Sequence, residues 1–378
     1  MTPMILTNAR IVTRDAVIAG TVEIADGRIR SVDDGNTANP AALDLEGDYL
    51  LPGLVEMHTD NMEKNLEPRP GVKWPSPMAA VLAHDAQIAS AGITTVFDAI
   101  SIGEAHKVGR DAMIADSIAG IERGRADDLL RAEHLIHLRC EVVGATVVEI
   151  ASAHMHNPLV KVVSLMDHTP GQRQWSDISH WLTYNKTEHL PKAEIDARLA
   201  KLREARALYG EAHRQAIVAM ARTHGLVIAT HDDTEPVHVD EAAEVGATIS
   251  EFPTTLAAAQ RARQLGLKTI MGSPNVVRNG SHSGNVSARE LAAQGLLDGL
   301  SSDYVPVSLL HAAFLLWEEI GIALPEAVAV VSDNTARMVG LADRGRIAPG
   351  LRADLVRVKA LPNLPVVRQV WREGRQVA

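Results

Sequence analysis

Imidazole and carboxylate side chains stand directly after apolar runs at several points of the 378-residue chain. The side chains with this placement are His58, Asp60, Glu141, His168, His231 and Asp303. If the apolar runs are parallel strands, these groups lie together at one edge of a sheet, where they could hold one or two divalent ions. The ligand types suit Zn best, with Mn or Fe as alternatives. A divalent ion activates water for attack, so the set predicts a metal-dependent hydrolase.

Spacing suggests more specific roles within this set. His58 and Asp60 are two residues apart, and strand residues at that spacing point the same way, so both could bind one ion. We expect Glu141 to bridge two ions, and Asp303 to be a ligand that also takes the proton of the nucleophile. Each residue alone is more often a loop or capping residue than a ligand, and only a barrel that gathers them reverses that preference. Histidines within predicted helices or early in strands are expected to be structural, among them His84, His134 and His137.

A second group of polar and cationic residues falls in the segments that follow the predicted strands. Its members are Asn61, Lys64, Arg69, Gln172, Arg173, Arg278, His282 and Asn285. Residues 278–285 read RNGSHSGN, in which glycine and serine let backbone N–H groups approach an anion ahead of a helix. Each cation alone is an ordinary surface charge, but arginine offers bidentate contacts to phosphate. Together the group predicts a phosphorylated, anionic small-molecule substrate.

Eight apolar runs, each followed by a helical pattern, must position these side chains. The runs lie near residues 55–60, 94–98, 135–141, 160–168, 226–231, 248–251, 269–272 and 300–303. Strands that alternate with helices predict a parallel (β/α)8 barrel of the α/β class over residues 53–345. Short strand patterns in residues 1–52 and 346–378, with an Asp26-Gly27 turn signal, predict a small β-sandwich built from both ends. The polar, aperiodic segment 169–190 is expected to be a long loop over the barrel mouth.

The composition argues against some classes of function and indicates a cellular location. The net charge is −10, which argues against non-specific nucleic-acid binding. No run approaches the roughly 20 apolar residues that span a bilayer, and residues 1–8 lack the pattern of a signal peptide. The single cysteine, Cys140, excludes an internal disulfide, so a reduced, cytoplasmic setting is the simplest expectation.

Three motifs resemble those of the amidohydrolase superfamily, and together they span the chain. They are DGRI at residues 26–29, LPGLVEMH at 51–58 and GRIAPGLRADLV at 345–356. The resemblance implies a metal-bearing (β/α)8 barrel with a β-sandwich made from both ends, as the strand pattern independently predicts. Most members of the superfamily carry His-x-His in the first strand, whereas this chain has His58-Thr59-Asp60.

The aspartate in that motif resembles one branch, the PhnM family of phosphonate utilisation. Further motifs similar to that family are HTDNMEK at residues 58–64, PRPGVKWP at 68–75, MDHTPGQ at 166–172, EFPTT at 251–255, GSHSGN at 280–285 and SSDY at 301–304. The resemblance implies release of pyrophosphate from α-D-ribose 1-methylphosphonate 5-triphosphate in the carbon–phosphorus lyase pathway, and a homo-oligomer, with a dimer the first guess. Two alternatives stay open: a C–N bond hydrolase or deaminase on the same metal site, and a non-enzymatic scaffold on a degenerate barrel.

Overall fold

The computed structural model describes residues 3–103, 110–281 and 284–378, so the predicted substrate contact His282 lies outside the described residues. At the N-terminus, apolar and polar side chains alternate between tight turns, as half-buried strands require. Asp26 and Gly27 both have positive φ, 52° and 74°, which matches the hairpin turn that their sequence predicts. The strands here are β1 (Met4–Val12), β2 (Val17–Ala25), β3 (Arg28–Asp34), β4 (Leu43–Asp44) and β5 (Tyr49–Pro52).

Eight consecutive strands form a parallel sheet that closes into a barrel. They are β6 (Leu54–Thr59), β7 (Ile93–Ile102), β8 (Glu133–Glu141), β9 (Val160–Met166), β10 (Val227–His231), β11 (Ile249–Glu251), β12 (Lys268–Gly272) and β13 (Gly299–Ser301). They are hydrogen-bonded in chain order, and a parallel bridge between Thr59 and Asp303 closes the ring. Most strand residues are buried, as expected for apolar runs covered by helices. The predicted (β/α)8 barrel is confirmed.

Helices follow the barrel strands and cover their outer face. Their starts carry expected capping residues: Ser76 and Thr255, for example, accept hydrogen bonds from the first turn of their helices. The helices are α1 (Asn61–Leu66), α2 (Pro77–Ser90), α3 (Arg110–Ala126), α4 (Val147–His154), α5 (Ile178–Tyr184), α6 (Lys192–Thr223), α7 (Pro236–Glu244), α8 (Leu256–Leu265), α9 (Ser273–Val277), α10 (Ala288–Ala293), α11 (Ser308–Glu318), α12 (Leu324–Ala329) and α13 (Asp333–Met338). Across the described residues, none of them is long and apolar enough to span a membrane.

Segment 169–190 is not the structureless loop that its sequence predicts. A 3₁₀ turn at Arg173–Trp175 leads into α5. The buried side chains of Trp175 and Trp181 pack with Leu199 of α6 in a small apolar cluster of their own. The prediction of a plain loop was wrong because two tryptophans supply buried apolar area that a search for periodicity does not reveal.

The C-terminal strands join those of the N-terminus. They are β14 (Leu355–Leu361), β15 (Leu364–Arg372) and β16 (Arg375–Gln376). β14 pairs antiparallel with β5, so strands from both chain ends form one hydrogen-bonded sheet of eight strands. Their separate core includes Leu6, Ile24, Leu355 and Trp371. A small β domain from both ends is therefore present, while its limits at residues 1–52 and 346–378 stay a prediction.

Candidate active site

Three side chains converge at the carboxyl ends of barrel strands. His58 lies at the end of β6, His231 ends β10 and Glu251 ends β11. One ligand atom from each lies within 4.8 Å of the other two. His58 Nδ1 is 3.2 Å from Glu251 Oε1, and all three side chains are buried. Burial, followed by the charges of Arg139 and His231, holds the pKa of His58 well below its usual range, so its imidazole is neutral and suited to a metal.

A second group adjoins the first through His231. His168 lies two residues past β9, and its Nδ1 is 2.5 Å from Glu141 Oε2. Its Nε2 is 3.7 Å from Asp232 Oδ2, and ligand atoms of His168, His231 and Asp232 again fall within 4.8 Å of one another. Burial opposes the protonation of His168, but Glu141 and Asp232 outweigh it and raise its pKa to about 10. Glu141 therefore contacts His168 directly, and its role as a bridge between ions stays a prediction.

Asp60 and Asp303 face the same cavity as these imidazoles. Asp60 is the N-cap residue of α1 and not part of β6, so the strand periodicity that paired it with His58 does not extend to it. Asp303 follows β13, and its backbone N–H donates to the carbonyl oxygen of His58 at 3.2 Å. Burial first, and then the charge of Asp60, raises the pKa of Asp303 to about 7. A carboxyl group that titrates near neutral pH suits a proton-transfer role.

Backbone conformation at the strand ends helps to place these side chains. Asp232 and Asp303 have φ of 57° and 53°, in the left-handed region where residues other than glycine are uncommon and which recurs at functional sites. The buried side chain of Glu56 links the end of β6 to the segment that follows β13. Its Oε1 accepts the N–H of His58 at 2.7 Å, and its Oε2 accepts the N–H of Ser302 at 2.6 Å. Glu56 thus ties the first barrel strand to the segment that carries Asp303.

Several buried polar atoms in this region have no hydrogen-bond partner among the described residues. They are His137 Nε2, His231 Nε2, Glu251 Oε2 and Asp60 Oδ1. A buried donor or acceptor without a partner costs about 1–3 kcal/mol, so such atoms rarely cluster where nothing binds. Imidazole nitrogens and carboxylate oxygens are the donors that Zn and Mn accept in proteins. The residues present therefore fit a metal centre.

Arg139, Glu251 and Asp232 also belong to this site, although they were not among the predicted residues. Arg139 lies two residues before Glu141 on β8, so the two share a face, and Arg139 lines the cavity, where its charge lowers the pKa of Asp303. Glu251 ends its strand, and Asp232 directly follows a predicted ligand. Two-residue periodicity and the strand-end position were sufficient signals for Arg139 and Glu251.

The site opens into a cavity of about 1090 Å³. Arg278 and Asn285, both predicted as substrate contacts, line this cavity. Lys64 lies at its edge, because its Nζ donates at 2.6 Å to the backbone oxygen of Tyr304, another lining residue. The cavity therefore combines metal-ligating side chains with the cations Arg139 and Arg278, an arrangement that can hold an anion beside a metal centre.

The remaining predicted substrate contacts are not in this cavity as the structure describes it. Asn61 is buried, and its amide donates to Gln87 Oε1 at 2.7 Å and contacts the ring of His84. Arg69 is exposed on the segment after α1. Gln172 and Arg173 line a neighbouring cavity against α6, and an ion pair of 2.6 Å to Asp233 holds Arg173 there. The substrate roles predicted for Asn61, Arg69, Gln172 and Arg173 stay predictions, although the structure places these side chains outside the cavity that the metal-ligating residues line. Sequence adjacency to a ligand does not fix the direction of a side chain.

A second buried histidine–carboxylate cluster lies between α2, β7 and β8. His84 Nε2 and His134 Nδ1 are 2.8 and 2.7 Å from the two carboxylate oxygens of Asp98, and His134 Nε2 is 3.3 Å from Asp85 Oδ1. Ligand atoms of His84, Asp98 and His134 also lie within 4.8 Å of one another. Burial opposes the protonation of His134, but Asp98 and Asp85 raise its pKa to about 9. The ring nitrogens of His84 and His134 and both carboxylate oxygens of Asp98 already have hydrogen-bond partners, unlike the unpartnered atoms around His231 and Glu251, so this cluster fits a structural network better than a metal site.

Comparison with known proteins agrees with this arrangement. The model of the amidohydrolase family matches residues 78–378. The chain belongs to the amidohydrolase family. It is 41% identical over 381 residues to the alpha-D-ribose 1-methylphosphonate 5-triphosphate diphosphatase of Escherichia coli strain K12, with 99% of this chain and 100% of that protein covered. The resemblance to the PhnM branch is thereby confirmed. Amidohydrolases depend on metal ions, as the buried ligand groups of this chain also indicate.

Solved structures of the same fold are similar over nearly the whole chain. The 5-methylcytosine deaminase of Klebsiella pneumoniae has a TM-score of 0.67 and 16% identity, with 99% of this chain and 97% of that chain covered. The N-isopropylammelide isopropylaminohydrolase of Burkholderia multivorans has a TM-score of 0.66 and 17% identity, with 100% and 98% covered. At such low identity these similarities show the fold alone.

Proposed function

We propose that this chain is a metal-dependent diphosphatase that releases pyrophosphate from α-D-ribose 1-methylphosphonate 5-triphosphate in phosphonate degradation. The full-length 41% identity to the Escherichia coli diphosphatase carries this proposal. The cavity supports it, because Arg139 and Arg278 line the same space as the metal-ligating side chains. A triphosphate brings several negative charges, and guanidinium groups are well suited to bind them.

In this proposal the principal ion would be held by His58, His231 and Glu251. His168 and Asp232 would hold a second ion where two are bound. Zn is the first expectation for the metal, with Mn or Fe as alternatives. The bound ion would supply Lewis-acid activation of water and of a phosphoryl oxygen.

The chain's own residues then supply positioning, charge and proton transfer. Asp303 accepts a proton at its carboxylate as the water attacks the α-phosphorus, and it is placed for this by its hydrogen bond to the His58 backbone. Arg139 and Arg278 offset the charge on the transferred phosphoryl group and on the leaving pyrophosphate. Asp60, also predicted as a ligand, lies beside Asp303 and keeps its pKa high.

The wider setting of the enzyme follows from the same proposal. We place it in the cytoplasm, with an anionic phosphorylated small molecule as substrate and a second copy of the chain as partner in a dimer. No role for nucleic acid or for a membrane is proposed. The division into a barrel of residues 53–345 and a β domain of residues 1–52 and 346–378 belongs to this proposal.

Product analysis tests the proposed reaction. Protein loaded with Zn or with Mn is incubated with the ribosyl phosphonate triphosphate, and the products are followed by phosphorus NMR. Pyrophosphate and a 5-monophosphate are the expected products. Stepwise release of inorganic phosphate, or no reaction, would contradict the proposal. Release of ammonia from aminated rings, or ring opening of a cyclic amide, without pyrophosphate release would favour a C–N hydrolase instead.

A further inference from the structure

A second cavity of about 560 Å³ lies against α6, behind the strand ends that carry His168 and His231. Its walls carry four guanidinium groups, which belong to Arg173, Arg203, Arg206 and Arg214. It shares Thr169 with the catalytic cavity but none of the metal-ligating side chains that line the latter. The proposed reaction makes no use of this space.

The charges around this second cavity are not fully matched. Arg206 Nε is 2.7 Å from Asp167 Oδ2, and Arg214 Nη1 is 3.0 Å from Glu241 Oε2, so each has one carboxylate partner. Arg203, by contrast, has no carboxylate within ion-pair distance in the part of the chain that the structure describes. Arg214 Nη2 also donates to the backbone oxygen of Glu241, and Arg173 contacts two carboxylates, so Arg203 is the guanidinium with the most N–H donors available.

An amide nitrogen adds to these donors. Gln172 lies near Asp167, but its buried Nε2 has no hydrogen-bond partner of good geometry among the described residues. A buried unpartnered N–H group is costly, and an acceptor bound in the cavity would satisfy it. Arg173, Arg206 and Arg214 are paired with carboxylates, so Arg203 and the Gln172 amide are the groups of this wall that point to a ligand with oxygen acceptors.

Glycines keep this space open. Gly210 lies in the middle of the 32-residue helix α6, where glycine costs about 1 kcal/mol relative to alanine. Packing does not require it, because a Cβ there would meet nothing closer than Arg206 Cγ at 3.5 Å. Gly171, with φ of 98°, lies under Arg203 on the opposite wall, where a Cβ would be 3.7 Å from its Nη2. Missing side chains therefore leave room between the arginines.

We infer that this cavity is a second anion site, which takes a phosphate-type oxyanion between Arg203 of α6 and the 170–173 turn. Free inorganic phosphate and pyrophosphate share the required chemistry: tetrahedral, multiply charged groups that accept several charge-assisted hydrogen bonds. The site is connected to the catalytic centre through Arg173, whose Nη1 lies 3.3 Å from the backbone oxygen of His231. Anion binding here does not require that the proposed reaction be correct.

Calorimetric titration of the Zn-loaded protein with phosphate, and separately with pyrophosphate, tests the inference. Arg203→Ala should weaken one class of site at least tenfold, and Gly210→Leu should do the same by filling the space. Leucine is the better helix former, so the Gly210→Leu protein should melt no lower than the wild type. Arg222→Ala is the matched control, because it removes an equal charge from an exposed position of the same helix outside this cavity.

A third variant distinguishes anion binding in the catalytic cavity from binding in the second cavity. Arg278→Ala should weaken only the other class of site, since Arg278 lines the catalytic cavity and not the second one. A larger loss for pyrophosphate than for phosphate in Arg203→Ala identifies pyrophosphate as the ligand, and equal losses identify a single phosphoryl group. Wild-type binding in both Arg203→Ala and Gly210→Leu, or an equal loss in Arg222→Ala, would overturn the inference. Pyrophosphate release by the wild-type protein tests the proposed reaction independently.

Discussion

Asp303 illustrates how neighbouring groups prepare a single carboxyl group for proton transfer. It is partly buried beside Asp60, and burial, followed by the charge of Asp60, raises its pKa to about 7. An asparagine at this position would keep the shape of the side chain but could not accept the proton. We expect Asp303→Asn to fold normally and to lose about 10²–10⁴-fold in kcat, the usual contribution of general acid–base catalysis. Steady-state kinetics and thermal melting check this. Asp240→Asn, at a partly exposed ion pair on α7, is the control and should keep wild-type turnover; near-normal turnover in Asp303→Asn would remove the residue from this role.

Arg139 should matter for the same reaction through its charge. It is the cation that β8 carries into the cavity beside the ligand set. Arg139→Gln should lower kcat about 100-fold, because an electrostatic donor to the developing charge is lost. Arg139→Lys should recover part of that loss, since it restores the charge without the planar fork. Equal rates for the wild type and the Arg139→Gln protein would exclude a catalytic contribution from this side chain.

The sequence predicted this site unevenly at the residue scale. His58, His168 and His231 could be found because imidazoles at strand ends are rare and share one position in the barrel. The position of Gln172 and Arg173 in the second cavity could not be predicted, because it depends on a local 3₁₀ turn and on an ion pair between Arg173 and Asp233, which is distant in sequence. Such long-range pairing leaves no periodic signal in the chain.

At the scale of elements, the tryptophan cluster should hold α5 over the barrel mouth. Trp181 packs with Trp175 and Leu199, away from the main core. Trp181→Ala should destabilise this cluster by about 3 kcal/mol. The population of molecules in which segment 169–190 is locally unfolded should then rise more than tenfold. Limited proteolysis should then cut this segment faster with little change in the global melting temperature. Trp74→Ala, at a half-exposed tryptophan, is the control, and equal cleavage in both variants would contradict the assignment.

The buried network of α2, β7 and β8 should make stability depend on pH. The pKa of His134 is raised to about 9, so its stabilising interaction with Asp98 and Asp85 is fully present below about pH 6.5 and is lost as the pH rises through 9. The free energy of unfolding, measured with denaturant at pH 6, 8 and 10, should fall as the pH rises. This fall should be smaller in the His134→Gln protein. Parallel curves for the wild type and His134→Gln would show that this histidine is not charged in the folded protein.

Elements were more predictable than the contacts between them. All eight barrel strands follow from their apolar runs, because strands buried by helices on one side and the barrel interior on the other must be apolar throughout. The 3₁₀ turn and α5 did not follow, because their burial depends on α6, which comes later in the chain. The β domain could be inferred from its turns, but the pairing of β5 with β14 joins residues about 300 positions apart and cannot be read from local pattern.

At the scale of the whole molecule, the metal should couple catalysis to stability. Ligands from separate strands meet at one end of the barrel, and an ion that binds only the folded form adds about 2.7 kcal/mol at a hundredfold excess over its Kd. Treatment with a chelator should therefore abolish turnover and lower the melting temperature, and Zn or Mn should restore both. An unchanged melting temperature together with full activity after verified metal removal would contradict a metal-dependent mechanism.

The central claim is that water attacks the α-phosphorus and that pyrophosphate leaves. Hydrolysis of the ribosyl phosphonate triphosphate in ¹⁸O-labelled water, followed by phosphorus NMR, tests this most directly, because ¹⁸O shifts the resonance of the phosphorus that acquires it. Attack at the α-phosphorus predicts the label in the sugar 5-monophosphate and none in the pyrophosphate. Label in the pyrophosphate or in free inorganic phosphate would contradict it.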